Sequence, residues 1–490
     1  MTVVHTSLGA IRGDVKHGVA AWRGIPYARP PLGELRFLPP GPVAPWTGEH
    51  DGTRYGPVAM QSREQRSAMM SGITDKMQMS EDCLSLNVFA PADHASGPPR
   101  PVLVWIHGGA FVMGAGSLPL YHGGTFAARH GLVVVTVNYR LGHLGLLYLG
   151  ELFGERYAHG NVALLDQIAA LTWVRDHVAA FGGDPGAVTV MGESAGAFSV
   201  AHLLAMPAAR GLFQRAILQS GATALIPPGR ADATASARAA LAELGVADLP
   251  SLLALPAERI VAAQAAASQA RGLAAFSPCV DGVTVPKPPL QAVRAGSAAG
   301  VPVLLGSNRD EWALFDTFLG AQLTQTVVAQ LRGRFGGLAE LAHARYLEAR
   351  ADRSSERAWI DILGDLAFRI PMIRLAEEQS RHAPVYMYRF DLASKAFDGK
   401  LGAAHALELP FVWNRLDNPL SQLLLGGADP SAQSLALEMH DAWASFVRTG
   451  DPGGGWPRYD DVRRATRIFD RTSSIADDPD GLPRVIWPRV

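Results

Sequence analysis

The chain has 490 residues, of which 48% are hydrophobic, and its formal net charge is −1. That length can bury a large core, and the near-neutral balance excludes the electrostatic footprint of a nucleic-acid-binding protein. No apolar run is long enough to span a bilayer, and residues 1–5 open no basic-then-apolar secretory pattern, so a cytoplasmic protein without a membrane partner is expected.

The first 60 residues show short alternating runs, followed by a proline-rich stretch over 26–45. This predicts a small antiparallel hairpin and then an extended, irregular segment. Apolar, β-branched runs recur at 102–106, 132–137, 188–191, 215–219, 301–306 and 385–390, with helical patterns between them. The alternation predicts an α/β fold with a central, mostly parallel sheet flanked by helices. Apolar spacing predicts a helix over 163–181, closed by Gly182, Gly183 and Pro185. Two further helical blocks, at roughly 225–290 and 320–382, read as cap insertions between strands. With no repeat and no Gly/Ser/Pro linker, a single elaborated domain over 1–490 is expected.

Gly192-Glu193-Ser194-Ala195-Gly196 matches Gly-x-Ser-x-Gly, a weak signal alone in a chain with 51 glycines. Context strengthens it, because an apolar strand over 188–191 precedes it and a helical run over 197–206 follows. Strand, tight turn and helix are what a nucleophile elbow requires, and the glycines leave the strained turn free of Cβ atoms. A serine hydroxyl is a poor nucleophile at neutral pH, so it needs a base to take its proton and an acid to orient that base.

Four histidines lie beyond the first helical block: His343, His382, His405 and His440. Only His405, between Gly402-Ala403-Ala404 and Leu407-Glu408-Leu409-Pro410-Phe411, reads as lying on a loop, where active-site bases of α/β folds sit. The strand over 301–306 ends in Ser307-Asn308-Arg309-Asp310-Glu311-Trp312, and on pattern alone either Asp310 or Glu311 could orient the base. His107-Gly108-Gly109-Ala110-Phe111 follows the strand over 102–106 and can offer backbone N–H groups to a developing oxyanion, together with Ala195. It lacks the lysine and spacing of a phosphate-binding loop.

Taken together, these segments resemble the type-B carboxylesterases, which include bacterial para-nitrobenzyl esterases and, more distantly, the cholinesterases. The resemblance runs through Arg23-Gly24-Ile25-Pro26-Tyr27-Ala28, Pro30-Pro31-Leu32-Gly33-Glu34-Leu35-Arg36-Phe37 and Ser80-Glu81-Asp82-Cys83-Leu84-Ser85-Leu86-Asn87-Val88. It continues in Asn138-Tyr139-Arg140, Gly160-Asn161-Val162, Phe181-Gly182-Gly183-Asp184-Pro185 and Gln219-Ser220-Gly221. It implies an α/β-hydrolase fold with Ser194 as nucleophile, His405 as base and Glu311 as orienting acid. Oxyanion donors are implied at Gly109, Ala110 and Ala195, with Glu193, Ser220 and Gly108 in support. Members usually carry glycine at the position of Ala110, whose methyl would restrict bulky alcohol groups. Ion pairs are implied between Arg36 and Glu81 and between Arg140 and Asp166.

Two departures are informative. In secreted relatives the cysteine equivalent to Cys83 has an upstream partner, whereas this chain has Val58-Ala59-Met60-Gln61 there, so Cys83 and Cys279 are read as reduced thiols. Between Val58 and Cys83 there is no aromatic residue to receive a quaternary ammonium. Methionines 60, 69, 70, 77 and 79 stand there instead, as a tolerant apolar lid or as ordinary loop packing. Phe111 and Trp312, beside the oxyanion loop and the acid, line the pocket or belong to the core. The expected activity is hydrolysis of small to medium apolar carboxylic esters through an acyl-enzyme, with no metal or organic cofactor, a small-molecule ester as substrate and no nucleic-acid or membrane partner; the sequence does not set the oligomeric state. Alternatives are a non-catalytic, cholinesterase-like binding protein, or an amide, carbamate or lactone hydrolase using the same triad.

Overall fold

The computed structural model describes residues 1–63, 77–223, 227–350, 353–427, 430–479 and 481–487. Among the described residues, thirteen strands run in chain order as β1 (Thr2–Thr6), β2 (Gly9–Lys16), β3 (Val19–Pro26), β4 (Glu49–Asp51), β5 (Ser85–Pro91), β6 (Arg100–Ile106), β7 (Val133–Val137), β8 (Gly183–Glu193), β9 (Arg215–Gln219), β10 (Val303–Asn308), β11 (Val385–Phe390), β12 (Ala465–Phe469) and β13 (Ser474–Asp477). Twelve of them lie side by side in the order β1-β2-β3-β5-β7-β6-β8-β9-β10-β11-β12-β13, and β4 pairs with β2. From β7 to β12 every pairing is parallel, and antiparallel strands close both ends. Strands buried on both faces are mostly apolar, as in the wholly buried Val133–Val137 (VVVTV) and Val303–Asn308 (VLLGSN), whose few polar residues are buried as well.

The hairpin of β1 and β2 continues into β3, which pairs antiparallel with β5 and so joins the main sheet. Two sets of helices cover that sheet. Gly124–His130 and Pro430–Thr449 pack together against β5, β6, β7 and β8, while Val162–His177, Ala195–Ala205, Pro289–Arg294 and Ile370–Gln379 form a second contiguous layer. The helix expected over 163–181 is α-helical over Val162–His177 and ends in a 3₁₀ turn, Val178–Phe181. Gly182 stops it at φ +79°, where a Cβ would lie 2.2 Å from the carbonyl oxygen of His94.

Helices from Arg230–Leu244 to Pro289–Arg294 lie between β9 and β10, and those from Ala313–Leu319 to Ile370–Gln379 between β10 and β11. Under the first block sits a smaller apolar cluster that includes Phe37, Met60, Leu144, Tyr157 and Leu241. Met77 and Met79 are half-buried beside the main core, while Met69 and Met70 lie outside the described residues. Among the described residues no helix is long and apolar enough to cross a membrane.

Chain order and sheet order part company at β6, which lies between β7 and β8. The loops leaving β6 and β8 therefore open a crevice at a topological switch point. Register makes this specific: Ile106 pairs with Gly192, Glu193 with Gln219, and Gln219 with Gly306. The residues after β6, β8, β9 and β10 consequently emerge at one level.

Two ion pairs brace this end. Arg36 meets Glu81 through paired bonds of 2.7 and 2.6 Å and donates to the carbonyls of Leu253 and Leu255, tying the proline-rich segment to the first helical block. Arg140, just after β7, meets Asp166 at 2.8 and 2.7 Å, and its own backbone N–H reaches the same carboxylate at 3.1 Å. Asp166 is wholly buried and Arg140 nearly so. Removing one partner leaves a desolvated charge, so Asp166→Ala is expected to lower the unfolding free energy by about 3–5 kcal/mol. Urea denaturation checks this, and an unchanged midpoint would refute it.

Candidate active site

Ser194 follows β8 and caps the helix Ala195–Ala205, at φ +54° and ψ −124°. A non-glycine residue holds such a backbone only when its surroundings over-determine it. The N–H of Ser194 donates to Gln219 O at 2.8 Å, and its carbonyl accepts from Phe198 N at 2.9 Å. Its glycine neighbours have no room for side chains. A Cβ on Gly196 would lie 2.0 Å from Ile106 O, and one on Gly192 would lie 2.4 Å from the carbonyl carbon and oxygen of Gly196. Ser194 itself is half-buried.

The loop after β6 lies against the elbow: a Cβ on Gly108 would come 3.1 Å from Ser194 Cβ and 2.6 Å from Glu193 Oε2. Gly109, Ala110 and Phe111 all have positive φ (+111°, +53° and +60°), and a Cβ on Gly109 would strike Met113 O at 2.2 Å. This curl turns successive N–H groups inward. Among the described residues, the N–H groups of Gly109, Ala110 and Ala195 have no hydrogen-bond partner. Tyr139 supports the loop from behind, donating its hydroxyl to His107 O at 2.7 Å and stacking on the His107 ring at 4.5 Å. Burial lowers the His107 pKa to about 4, which keeps that ring neutral.

His405 is buried on a turn, and its Nδ1 lies 2.6 Å from Glu311 Oε2. The other oxygen of Glu311 accepts from Asn308 N at 2.7 Å, and Glu311 O accepts from His405 N at 3.3 Å. Asp310, the other carboxylate on this loop, does not face the imidazole. It accepts from Ala403 N at 2.8 Å and from arginines. Glu193 is buried with Oε1 3.0 Å from His405 Nε2, close enough for strong attraction but without hydrogen-bond alignment. Ser220 is fully buried at φ +48°; its N–H donates to Gly306 O, and its hydroxyl has no partner among the described residues. Phe111 and Trp312 both belong to the main core, 4% and 3% exposed, and the Trp312 indole donates to Thr324 Oγ1.

Several residues at this site carry no motif of their own. Glu408 accepts from Asn308 Nδ2 at 2.6 Å and Gln219 Nε2 at 3.0 Å, so a third buried carboxylate joins the cluster. One acid within the apolar run 407–412 was its available signal. Phe368 and Phe315 pack on the His405 ring at 4.6 and 5.2 Å between centroids. Phe368 lies in a π-helical turn, Asp365–Arg369, which no spacing rule anticipates.

The electrostatics follow from three carboxylates and one imidazole in a dry place. Burial disfavours the His405 cation, yet the charges of Glu193 and Glu311 outweigh it and raise the ring's pKa above its ordinary value. Burial raises Glu193, partly offset by His405 and reinforced by Glu408 and Glu311. Burial and the Glu311 charge likewise raise Glu408, against the hydrogen bond from Asn308.

Known proteins share this architecture along the whole chain. Residues 1–477 match the pattern that defines the carboxylesterase family. The chain is 41% identical to the para-nitrobenzyl esterase of Bacillus subtilis (strain 168), over 98% of this chain and 97% of that protein. It is 38% identical to the phenmedipham hydrolase of Pseudarthrobacter oxydans, over 92% and 90% of the two chains. A crystal structure of a Geobacillus stearothermophilus carboxylesterase superposes with a TM-score of 0.89 at 41% identity, covering 100% of each chain. A strand-to-helix serine elbow on a mostly parallel sheet, matched over this length, places the chain in the carboxylesterase family, as a serine carboxylesterase.

Proposed function

We propose that the chain hydrolyses small to medium apolar esters with Ser194 as nucleophile, His405 as base and Glu311 as the acid that orients it. The observation that carries this reading is the 2.6 Å contact of His405 Nδ1 with Glu311 Oε2; Nε2 lies 3.0 Å from Glu193 Oε1 without a hydrogen bond and so is available to take the serine proton. In the first half-reaction, Ser194 Oγ attacks the ester carbonyl carbon while Nε2 takes its proton. Negative charge on the former carbonyl oxygen meets the N–H groups of Gly109, Ala110 and Ala195. Collapse breaks the bond to the alcohol, which leaves with the proton from Nε2. Water then attacks the acyl-enzyme by the same route, releasing the acid and restoring Ser194.

The substrate class is supported by the aromatic wall at His405, where Phe315 and Phe368 lie parallel with centroids 6.0 Å apart. Relatives named for a para-nitrobenzyl ester and for phenmedipham suit an apolar, aromatic-tolerant site. The continuous strand path from β1 to β13 supports one elaborated catalytic domain. Two buried, free thiols, Cys83 and Cys279, support a cytoplasmic location.

Three outcomes are expected. Ser194→Ala should remove the burst of chromogenic alcohol and lower kcat by about 10⁴-fold or more; an undiminished burst would refute the assignment. Catalysis needs neutral His405, and its raised pKa means activity is lost as pH falls through that value. Glu193→Gln removes one of the charges that raise it, so the acid limb of kcat/KM should move to lower pH, whereas a limb moving to higher pH would contradict the role of Glu193. Ala110→Gly should relieve about 1 kcal/mol of left-handed backbone strain. It should also raise kcat/KM for tertiary-alcohol esters relative to primary ones by about 10-fold, which paired ester assays would measure.

A further inference from the structure

Asp310 sits beside the proposed acid, yet its side chain works on a different loop. Its carboxylate accepts from Ala403 N at 2.8 Å, and its backbone N–H donates to Ala403 O at 2.9 Å. One residue thus makes reciprocal bonds between the loop that carries Glu311 and the loop that carries His405, two positions before the histidine. Gly402, at φ +57°, permits the approach, since a Cβ there would lie 2.4 Å from Asp310 Oδ2. Three guanidinium groups hold the carboxylate: Arg309 at 2.9 Å, Arg353 at 3.3 Å and Arg357 at 2.6 Å.

Arg357 belongs to the helix Ser355–Gly364, which grips the same acid loop twice more. At Gly364 the helix passes so close that a Cβ would lie 3.2 Å from Glu311 Cβ and 3.1 Å from Trp312 N. One turn later Arg369 donates to the carbonyls of Asn308 and Arg309 at 2.6 and 3.1 Å. Trp312 on one loop and Ala403 and Ala404 on the other pack into the core, and these polar bonds fix how the two loops sit against each other. A displacement of about 1 Å between catalytic groups can cost two orders of magnitude in rate.

We infer that Asp310 is a positioning residue for ester hydrolysis: held by Arg353 and Arg357, it locks the acid loop to the base loop and so sets the Glu311–His405 contact. Its ionisation is secured for the purpose. Burial opposes the charge, but Arg309 and Arg357, with the Ala403 N–H, hold the carboxyl well below the usual carboxylate range. The lock therefore stays closed across the working pH of the enzyme. This inference rests on reading Glu311 and His405 as the acid and base.

The test uses the full-length enzyme, with kcat, KM and pH profiles for para-nitrophenyl butyrate referred to active sites counted by burst amplitude. Asp310→Asn keeps an acceptor for Ala403 but loses the charge that draws the arginines. It should lower kcat by about 10–100-fold with KM within about twofold. The acid limb of kcat/KM should move to lower pH, because a loosened Glu311 no longer raises the His405 pKa. Arg357→Gln, at a partly exposed position, should show the same limb shift with a smaller fall in kcat. Arg12→Gln, which breaks an exposed pair with Glu49 at the remote edge of the sheet, should be silent. Unchanged kcat per active site in both Asp310→Asn and Arg357→Gln, or a fall without any limb shift, would overturn the inference. Glu311→Gln separates the two levels: if it is inactive while Asp310→Asn is normal, only the positioning role fails. If Glu311→Gln is fully active, the acid–base reading fails.

Discussion

The backbone of Ser194 is held at φ +54° and ψ −124° by partners on three sides, and the site is arranged around that turn. A serine in this region stores roughly 1–3 kcal/mol of strain. Gln219 O takes its N–H, Phe198 N takes its carbonyl, and Ile106 O leaves Gly196 no space to relax. Gln219 O and Ile106 O stand where they do because β6, β8 and β9 are parallel neighbours in fixed register, while Phe198 N belongs to the helix that follows the turn. Sheet and helix together therefore hold the serine backbone in this conformation. The loop at Gly109 can lie alongside because the order reversal around β6 leaves a crevice there.

Charge imposes the second constraint. Glu193, Glu311, Glu408 and His405 are buried together, and a desolvated carboxylate is costly unless donors surround it. Asn308 serves most of them: its backbone N–H goes to Glu311, and its amide goes to Glu408 and to the carbonyl of Ala404. Gln219 completes the shell of Glu408. Because these dipoles and charges are fixed before substrate arrives, an imidazolium formed at His405 in the proposed mechanism would enter a field already oriented toward it. Little reorganisation is then needed during proton transfer.

The parts of this design that depend on local pattern were legible in the sequence. Uninterrupted β-branched runs such as 133–137 have few alternatives to a buried parallel strand, and the elbow shows in its glycines because each excludes a Cβ. The loop of Asp310 and Glu311 was not readable from pattern. Adjacent residues in a turn point in different directions, and neither composition nor spacing says which carboxylate meets a histidine 94 positions away. Asn308, at the end of a buried strand, and Glu408, just before a short helix, were hidden for a related reason, since neither has a signature until its partners are in space. Phe368 depends on a π-turn whose extra residue shifts the helical register, so a regular 3.6-residue reading directs the wrong side chain at His405.

These elements divide the work unequally between sheet and insertion. The proposed nucleophile and oxyanion loop rest on strand ends, braced by backbone atoms at fixed register and by the Tyr139 side chain. The proposed acid and base rest on loops after β10 and β11, and the aromatic rings packed on His405, Phe315 and Phe368, come from the helical block inserted between those strands. In the proposed site those rings would bound the space for substrate while keeping water from the imidazole. A smaller side chain at Phe368 would admit bulkier esters and would also hydrate His405 and its carboxylates, weakening their mutual interaction. Substrate range and base strength are therefore coupled through the same side chains. Variation that widens one without disturbing the other has to occur farther out, where the insertion no longer touches the ring.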